Sequence, residues 1–487
     1  MNPLQPADLA RSKSFIPPAF SAAQPTLDKL RVAVLPMKNM SPDPNDEYFA
    51  DGMTEELIDR LSQVESLKVI ARTSVMNYKK KEKNVSEIAK ELSAGSMVEG
   101  SVRKAGNKVR VTVQLINAGT EEHLWSSHYD KNLDDIFAVQ SEIAEKVAGE
   151  LRAQLLDSEK QTLEKKPTEN IEAYGNFLRG RELFRMDTEA SVRQALGLFE
   201  KSIELDPKFA RAYVAVAECH DWLSNSGGEP YDVSLSHVKS LLDRAIGLDP
   251  DLPEAHAVLS AMYFAKDDMP NMEAEARRAL DLNPSLPETY VMLSELAALN
   301  GNLAEMVRQL ETAYHLDPIR PRNIWAVGMA YLNAGREQEA LELWKKTEQL
   351  APAFTYRGMA EYYLIKGDLE KAKEFHDKFK KLEPNPPQAT TQGGIIAALQ
   401  GDKEKAFLAI RKIEDAKIGP LSYNYIGYIY RALGDFDSFF ECMDKALETH
   451  ALISSTLMYS HLLANARADP RYLELREKIR RQLRLTK

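Results

Sequence analysis

The sequence has few cysteines, no long hydrophobic run and no excess of positive charge. Its 487 residues include two cysteines, Cys219 and Cys442, which lie far apart in the chain. This pattern excludes a disulfide framework and a cysteine-rich zinc site. No run of about 20 apolar residues occurs, so no helix is expected to span a bilayer. Residues 1–29 lack the apolar core of a signal peptide and are expected to form a flexible leader. These absences predict a cytoplasmic protein.

The charge balance argues against a nucleic-acid partner. The chain carries 63 Lys and Arg against 73 Asp and Glu, a formal net charge of −10. Binding to a phosphate backbone requires concentrated basic side chains, and the basic runs of this sequence are short. We therefore expect no nucleic-acid partner.

Motifs for catalysis and for cofactor binding are also missing. The glycine-containing segments lack the Gly-Lys-Ser/Thr ending of a phosphate loop. The acidic residues between positions 43 and 51 do not have EF-hand spacing, and they suit the amino terminus of a helix. His123 and His128 are five residues apart around a predicted strand, which places them on opposite faces. We expect no enzyme activity, no cofactor and no metal site.

What the sequence does contain is a repeat of fixed period. A Leu-x-Pro motif recurs through the carboxyl-terminal two-thirds of the chain, and its prolines are spaced by 43, 34, 34, 34 and 32 residues. Proline cannot continue a helix, so each motif is expected to close a helical unit. The six prolines are Pro207, Pro250, Pro284, Pro318, Pro352 and Pro384.

Small and aromatic residues recur within each unit. In the clearest copy, Gly328 and Ala340 would let two helices approach closely, Tyr331 and Trp344 would fill the space between them, and Gly335 would form the turn. The period and these positions resemble the tetratricopeptide repeat, which implies a right-handed α-solenoid of helix-turn-helix units. The resemblance covers residues 168–450 in about seven or eight copies. Residues 451–487 lack the pattern and are predicted to form capping helices.

The periodicity is different before the repeats. Apolar runs and alternating residues predict strands, and apolar residues at helical spacing predict helices between them. The order β-α-β-α-β-β-β-α predicts a small α/β sandwich. The predicted strands cover residues 30–36, 67–71, 97–103, 109–115 and 122–129, and the predicted helices cover 53–64, 88–92 and 136–151.

Four segments of this region, at residues 32–63, 67–80, 97–130 and 135–151, carry a family resemblance. They resemble the TolB-like amino-terminal domain that precedes tetratricopeptide repeats in bacterial and archaeal signalling proteins. The resemblance covers residues 30–156, which leaves 157–167 as a linker. In many relatives a class III adenylate cyclase, a Ser/Thr kinase or a winged-helix module lies upstream, so the resemblance implies a signalling context.

In tetratricopeptide proteins the first helix of each pair lines the concave groove. Projecting that register onto this chain predicts a groove that mixes arginine and aromatic side chains, a composition typical of interface hot spots. Any one aromatic residue could instead pack between repeats. The candidate partner-binding residues are Arg211, Trp222, Phe264, Arg322, Trp325, Arg357 and Tyr428.

Two functional hypotheses follow. In the first, the chain is a non-enzymatic adaptor whose groove binds a protein partner, while the α/β domain makes a second contact or self-associates. In the second, it is a regulatory subunit of a separate adenylate cyclase or Ser/Thr kinase.

Overall fold

The computed structural model describes residues 27–483 and 485, with gaps at 82, 154, 187, 226–230, 384–386, 417, 450–465 and 467–468. Most of the predicted leader, and residues 451–465 of the predicted carboxyl-terminal cap, lie outside the described residues. So does most of the loop that accounts for the 43-residue proline interval.

The amino-terminal region is an α/β domain with the predicted order of elements and two short additions. The additions are strand β2 and helix α2, which are too short to carry a sequence period. The strands are β1 Arg31–Val34, β2 Lys38–Asn39, β3 Lys68–Val69, β4 Ser96–Ala105, β5 Lys108–Asn117 and β6 His123–Asn132. The helices are α1 Glu47–Ser62, α2 Arg72–Met76, α3 Val85–Leu92 and α4 Ile136–Glu150.

The six strands form one mixed sheet in the order β3-β1-β4-β5-β6, and β2 also pairs with β4. β1 runs parallel to β3 and β4, whereas β4, β5 and β6 form an antiparallel meander. The apolar residues that alternate along β5 are buried and the polar residues between them are not. Gly106 has a φ of +60° in the turn between β4 and β5, where a residue without Cβ is favoured.

The rest of the described chain is a helical repeat array. Eight antiparallel helix pairs lie between residues 171 and 448, and most first helices also contact the first helix of the next pair. The pairs are α6 Ile171–Phe184 with α7 Glu189–Leu205, α8 Ala210–Asn225 with α9 Tyr231–Leu248, α10 Pro253–Ala265 with α11 Met269–Leu282, α12 Pro287–Leu299 with α13 Leu303–Leu316, α14 Pro321–Asn333 with α15 Glu337–Thr347, α16 Pro352–Lys366 with α17 Leu369–Leu382, α18 Pro387–Leu399 with α19 Lys403–Asp415, and α20 Ser422–Ala432 with α21 Phe436–Glu448.

Local sequence sets the ends of these helices. Several first helices begin with proline at a position whose N–H would have no intrahelical partner. Several second helices begin after Asp or Asn, whose side chain accepts a hydrogen bond from a backbone N–H of the first turn. The seventh copy, α18 with α19, forms the same helix pair.

Two segments outside the repeats join distant parts of the chain. The predicted linker contains α5 (Asp157–Glu164), whose Leu163 is fully buried. The last helix, α22 (Pro470–Gln482), packs against α21, and Gln482 Nε2 donates to Asp267 Oδ2 at 2.7 Å, between α10 and α11. The end of the chain therefore contacts the third repeat as well as the last.

Candidate partner-binding groove

The inner face of the first repeats is covered by the chain's own α/β domain. Helix α1 lies against α6 so closely that a Cβ on Gly52 would be 2.6 Å from Leu178. The domain core and the first two repeats share one hydrophobic cluster, which runs from Val32 to Leu223 and includes Ile319. This part of the groove is therefore not open to a partner.

Buried charges lie at this contact. Glu55 of α1 is 3.4 Å from Arg181 Nε of α6 and 3.7 Å from Arg72 Nε of α2, and it also pairs with Arg185. Burial alone would raise the pKa of Glu55, but the three guanidinium groups hold it well below its usual value. Glu55 is therefore an ionised link between the domain and the first repeat.

The candidate residue Arg211 belongs to the same contact. Its guanidinium is 2.8 Å from Glu56 and 2.6 Å from Asp59, both on α1, and 3.7 Å from Glu254 on α10. It also lies over the ring of Phe177, 5.3 Å from the centroid. The structure thus places Arg211 in contact with the α/β domain and with the third repeat.

A cavity of about 520 Å³ opens beside Arg211, between α1, α5 and the second and third repeats. Its walls carry both acidic and basic side chains, among them Asp59 and Lys165. Burial raises the pKa of Asp59 to about 7, although Arg211 opposes the shift. Lys165 pairs with Asp249 at 2.5 Å, another contact between the segment after α4 and the repeats.

The loops that close the third and fourth repeats form hydrogen bonds with the other side of the domain. Val69 N donates to Ser285 Oγ at 3.2 Å, and Ala71 N donates to Leu316 O at 2.8 Å. Ser74 Oγ donates to Asp317 Oδ1 at 2.5 Å and accepts from Ile319 N at 3.1 Å. One Leu-x-Pro motif, at Leu316 and Asp317, and the residue after another, Ser285, therefore also bind the α/β domain.

Asp317 should make stability depend on pH. Burial of its carboxyl raises the pKa from 3.8 to about 6, in spite of the bond from Ser74. The folded state thus binds this proton more tightly, so the free energy of unfolding should fall between about pH 4 and pH 6 and then level off. Asp317→Asn should remove this dependence, which changes the free energy of unfolding by roughly 2–3 kcal/mol. Urea unfolding of the wild type and the variant at several pH values measures the effect. Parallel curves for the wild type and the variant would contradict the assignment.

Further along the array, two candidate residues are in contact on neighbouring first helices. Arg357 of α16 lies over the Trp325 ring of α14, 4.1 Å from the centroid, and its Nε is 3.1 Å from Glu361 Oε1. Burial raises the pKa of Glu361, while Arg357 and Trp325 oppose the shift. Tyr428 lies on α20, the first helix of the eighth repeat, and burial raises the pKa of its phenol. We call these four residues, on the first helices of the fifth, sixth and eighth repeats, the strip.

Arg322 lies one turn before Trp325 on α14 and is exposed. It lines a pocket of about 150 Å³ on the inner face of the third to fifth repeats. The buried Thr289 hydroxyl also lines this pocket, and among the described residues it has no hydrogen-bond partner. The rest of the lining is Ala257, Ser260, Ala261, Glu288, Val291, Met292, Arg320 and Asn323.

The two remaining candidates are partly buried in packing. Trp222 lies against the cluster shared by the α/β domain and the first repeats. Phe264 lies against a second cluster, which includes Met269 of α11 and Leu483 beyond α22. The structure thus brings Trp325 and Arg357 together, with Arg322 one turn away on α14. Arg211 and Trp222 lie at the α/β domain, and Phe264 and Tyr428 both lie against the second cluster.

The acidic stretch before α1 is neutralised within the domain. Lys79 Nζ is 2.7 Å from Glu47 and 2.6 Å from Asp51, and Lys104 Nζ is 2.7 Å from Asp46. Within the described residues, no three His, Cys, Asp or Glu side chains come together in a way that could hold a metal ion. In the same part of the chain, no helix is both long and apolar enough to cross a bilayer.

Two segments of the chain match known protein families. Residues 421–449 match the tetratricopeptide repeat. The helical array is of the tetratricopeptide type. Residues 28–146 match the second domain of HilA/YgeH-like transcriptional regulators. The expected resemblance to a TolB-like domain is therefore wrong, and this segment is instead similar to the second domain of those regulators.

Two curated relatives match part of the chain. A Rhizobium meliloti (strain 1021) protein named as an adenylate cyclase is 36% identical over 259 residues, which are 52% of this chain and 43% of that protein. A TPR repeat-containing protein of Methanocaldococcus jannaschii is 29% identical over 103 residues, 21% of this chain and 32% of that protein. The chain thus spans less than half the length of each relative.

Solved structures of helical repeat proteins are also similar. PilF of Pseudomonas aeruginosa has a TM-score of 0.34 at 19% identity and covers 44% of this chain and 94% of its own. PilW, described as a type IV pilus biogenesis factor, has a TM-score of 0.35 at 16% identity and covers 42% and 92%. The tetratricopeptide-type fold suggests a protein–protein interaction adaptor, and folds of this type are typically non-enzymatic.

Proposed function

We propose that the chain is a non-enzymatic adaptor that binds a protein partner on the inner face of the fourth to eighth repeats. The proposal rests on the division of the inner face into a part that the α/β domain covers and a part that lies beyond that contact. The α/β domain covers its first part, whereas Arg322, Trp325, Arg357 and Tyr428 lie beyond that contact. Arginine and aromatic side chains gathered on a concave surface are the composition of binding hot spots.

The chemistry of the strip indicates the kind of segment it would bind. Arg322 is an exposed cation beside a small pocket with apolar walls. Arg357 stacks on Trp325 and forms an ion pair with Glu361. A segment that presents an apolar side chain to the pocket and a carboxylate to Arg322 would satisfy both features.

A double charge reversal tests the groove. Arg322→Glu with Arg357→Glu should reduce capture of a specific partner at least about tenfold, because loss of a hot spot costs about 2 kcal/mol or more. Arg277→Glu with Arg411→Glu is the matched control, since both of these arginines are exposed and lie on second helices. Quantitative affinity capture with the full chain measures the effect. Equal capture by the two variants would contradict the proposal.

The relative named as an adenylate cyclase favours a second candidate, a regulatory subunit that acts on a separate cyclase or kinase. Purified chain incubated with nucleotides distinguishes the possibilities. Turnover by the chain alone would contradict the adaptor proposal, whereas the regulatory candidate predicts a changed rate only when a partner enzyme is added.

A further inference from the structure

Strand β6 forms an open edge of the sheet. It is ten residues long, and within the described part of the chain it pairs with β5 alone. Most of its residues, including Ser126, His128 and Asp130, are exposed. An edge strand presents every second backbone N–H and C=O outward, where they can pair with another strand.

Natural sheets usually block such an edge with proline, bulges or charged residues along the strand. β6 contains no proline or glycine, and its lysine, Lys131, lies next to its last residue. Its pairing with β5 is irregular at Leu124, near its first residue, where the register shifts between Trp125 and His123. Asp130 is already held by Arg110 of β5, with N–O distances of 2.6 and 2.9 Å. The middle of the strand, Trp125 to Tyr129, carries no acidic or lysine side chain.

We propose that a second copy of this chain pairs with the β6 edge, antiparallel, about a two-fold axis at Ser127, so that two sheets become one. This gives a concrete form to the self-association considered for the α/β domain. A dimer formed through like edges is isologous, which is the commonest symmetry of soluble oligomers.

The strand sequence selects this register. A two-fold axis perpendicular to the sheet keeps every side chain on its own face, so the axis must pass through a residue position. With the axis at Ser127, Lys131 lies diagonally across from Glu121, which comes just before the other copy's strand, and opposite charges across paired strands are stabilising. An axis at His128 would instead place two imidazoles opposite each other.

A cysteine at the axis tests the register. Ser127→Cys places two thiols opposite each other with Cα atoms about 4.5–5.5 Å apart, which suits a disulfide. Ser126→Cys is the matched control, because its two copies would be about 8 Å apart, too far for a disulfide. The native Cys219 and Cys442 are buried and should not interfere. Mild oxidation of the full chain, followed by non-reducing electrophoresis, measures the cross-link.

We expect roughly tenfold more cross-linked dimer from Ser127→Cys than from Ser126→Cys, and a native chain that sediments as a dimer. Ser127→Lys should shift sedimentation to the monomer with an unchanged circular dichroism spectrum, because like charges opposite each other destabilise the pairing. A native monomer at high concentration, or equal cross-linking of the two cysteine variants, would overturn the inference. Because these readouts report assembly alone, their failure would leave the proposed partner groove untouched.

Discussion

Replacing Glu55 with alanine is expected to lower the free energy of unfolding by about 3–5 kcal/mol. Glu55 is almost fully buried, and its carboxylate pairs with Arg72, Arg181 and Arg185 at the contact between α1, α2 and α6. Removing it leaves three guanidinium groups close together with no shared anion, although Arg181 still pairs with Glu218 and Arg72 with Asp51. Loss of a buried partner from such a network is among the larger single-residue costs in a folded protein.

Two variants separate this cost from general effects of substitution. Glu55→Gln keeps the shape and removes the charge, so it should retain most of the loss. Glu189→Ala removes an exposed carboxylate that pairs with Arg193 at i,i+4, and such surface pairs contribute about 0.5 kcal/mol or less. Urea unfolding of the three variants gives the comparison.

Hydrogen exchange should show where the loss acts. If Glu55 links the α/β domain to the repeats, amides of α1 and α6 should lose protection together in Glu55→Ala. Because one hydrophobic cluster joins these elements, they are expected to open as one cooperative unit. Loss of protection confined to α1 would contradict the role of Glu55 as a link.

The docking of the α/β domain against the helical repeats could not be predicted from sequence. It depends on contacts between residues 155, 216 and 243 positions apart, namely Arg211 with Glu56, Val69 with Ser285, and Ser74 with Asp317. No period or spacing relates such residues. Arg181 and Arg185 follow one another at i,i+4 and resemble an ordinary solvated helix face until the position of α1 is known.

The candidate groove shows the same limit. Helical register indicates which face of α8 and α14 carries Arg211 and Trp325, because that face follows from a local period of 3.6 residues. Register cannot show that another part of the chain covers Arg211 and leaves Trp325 beyond the covered region. Elements marked by an apolar run or a local period were predictable, including β3, which is only two residues long. β2 and α2 lack such a pattern and were not predicted.

Replacing Trp344 with alanine is the other change with a large expected effect, a loss of about 3–5 kcal/mol. The indole is fully buried in the fifth repeat and lies between two first helices. A Cβ on Gly328 of α14 would be 2.3 Å from it, and a Cβ on Gly358 of α16 would be 2.6 Å away. Alanine would leave a cavity that these rigid helix backbones cannot close. Leu408→Ala on the exposed face of α19 should cost much less, and equal losses in urea unfolding would contradict this account.

Substitution of the glycines tests the same contact between Trp344 and the first helices. Gly328→Ala should cost about 1–3 kcal/mol when Trp344 is present, because the added methyl overlaps the indole. In a Trp344→Leu background the overlap is relieved, and alanine is favoured over glycine inside a helix by about 1 kcal/mol. The double-mutant cycle should therefore give a coupling energy above about 1 kcal/mol. Gly180 with Phe199 and Gly427 with Met443 have the same geometry in the first and eighth repeats. Additive effects at Gly328 and Trp344 would show that the glycine is not required by the indole, and the same explanation would then fail for the other two repeats.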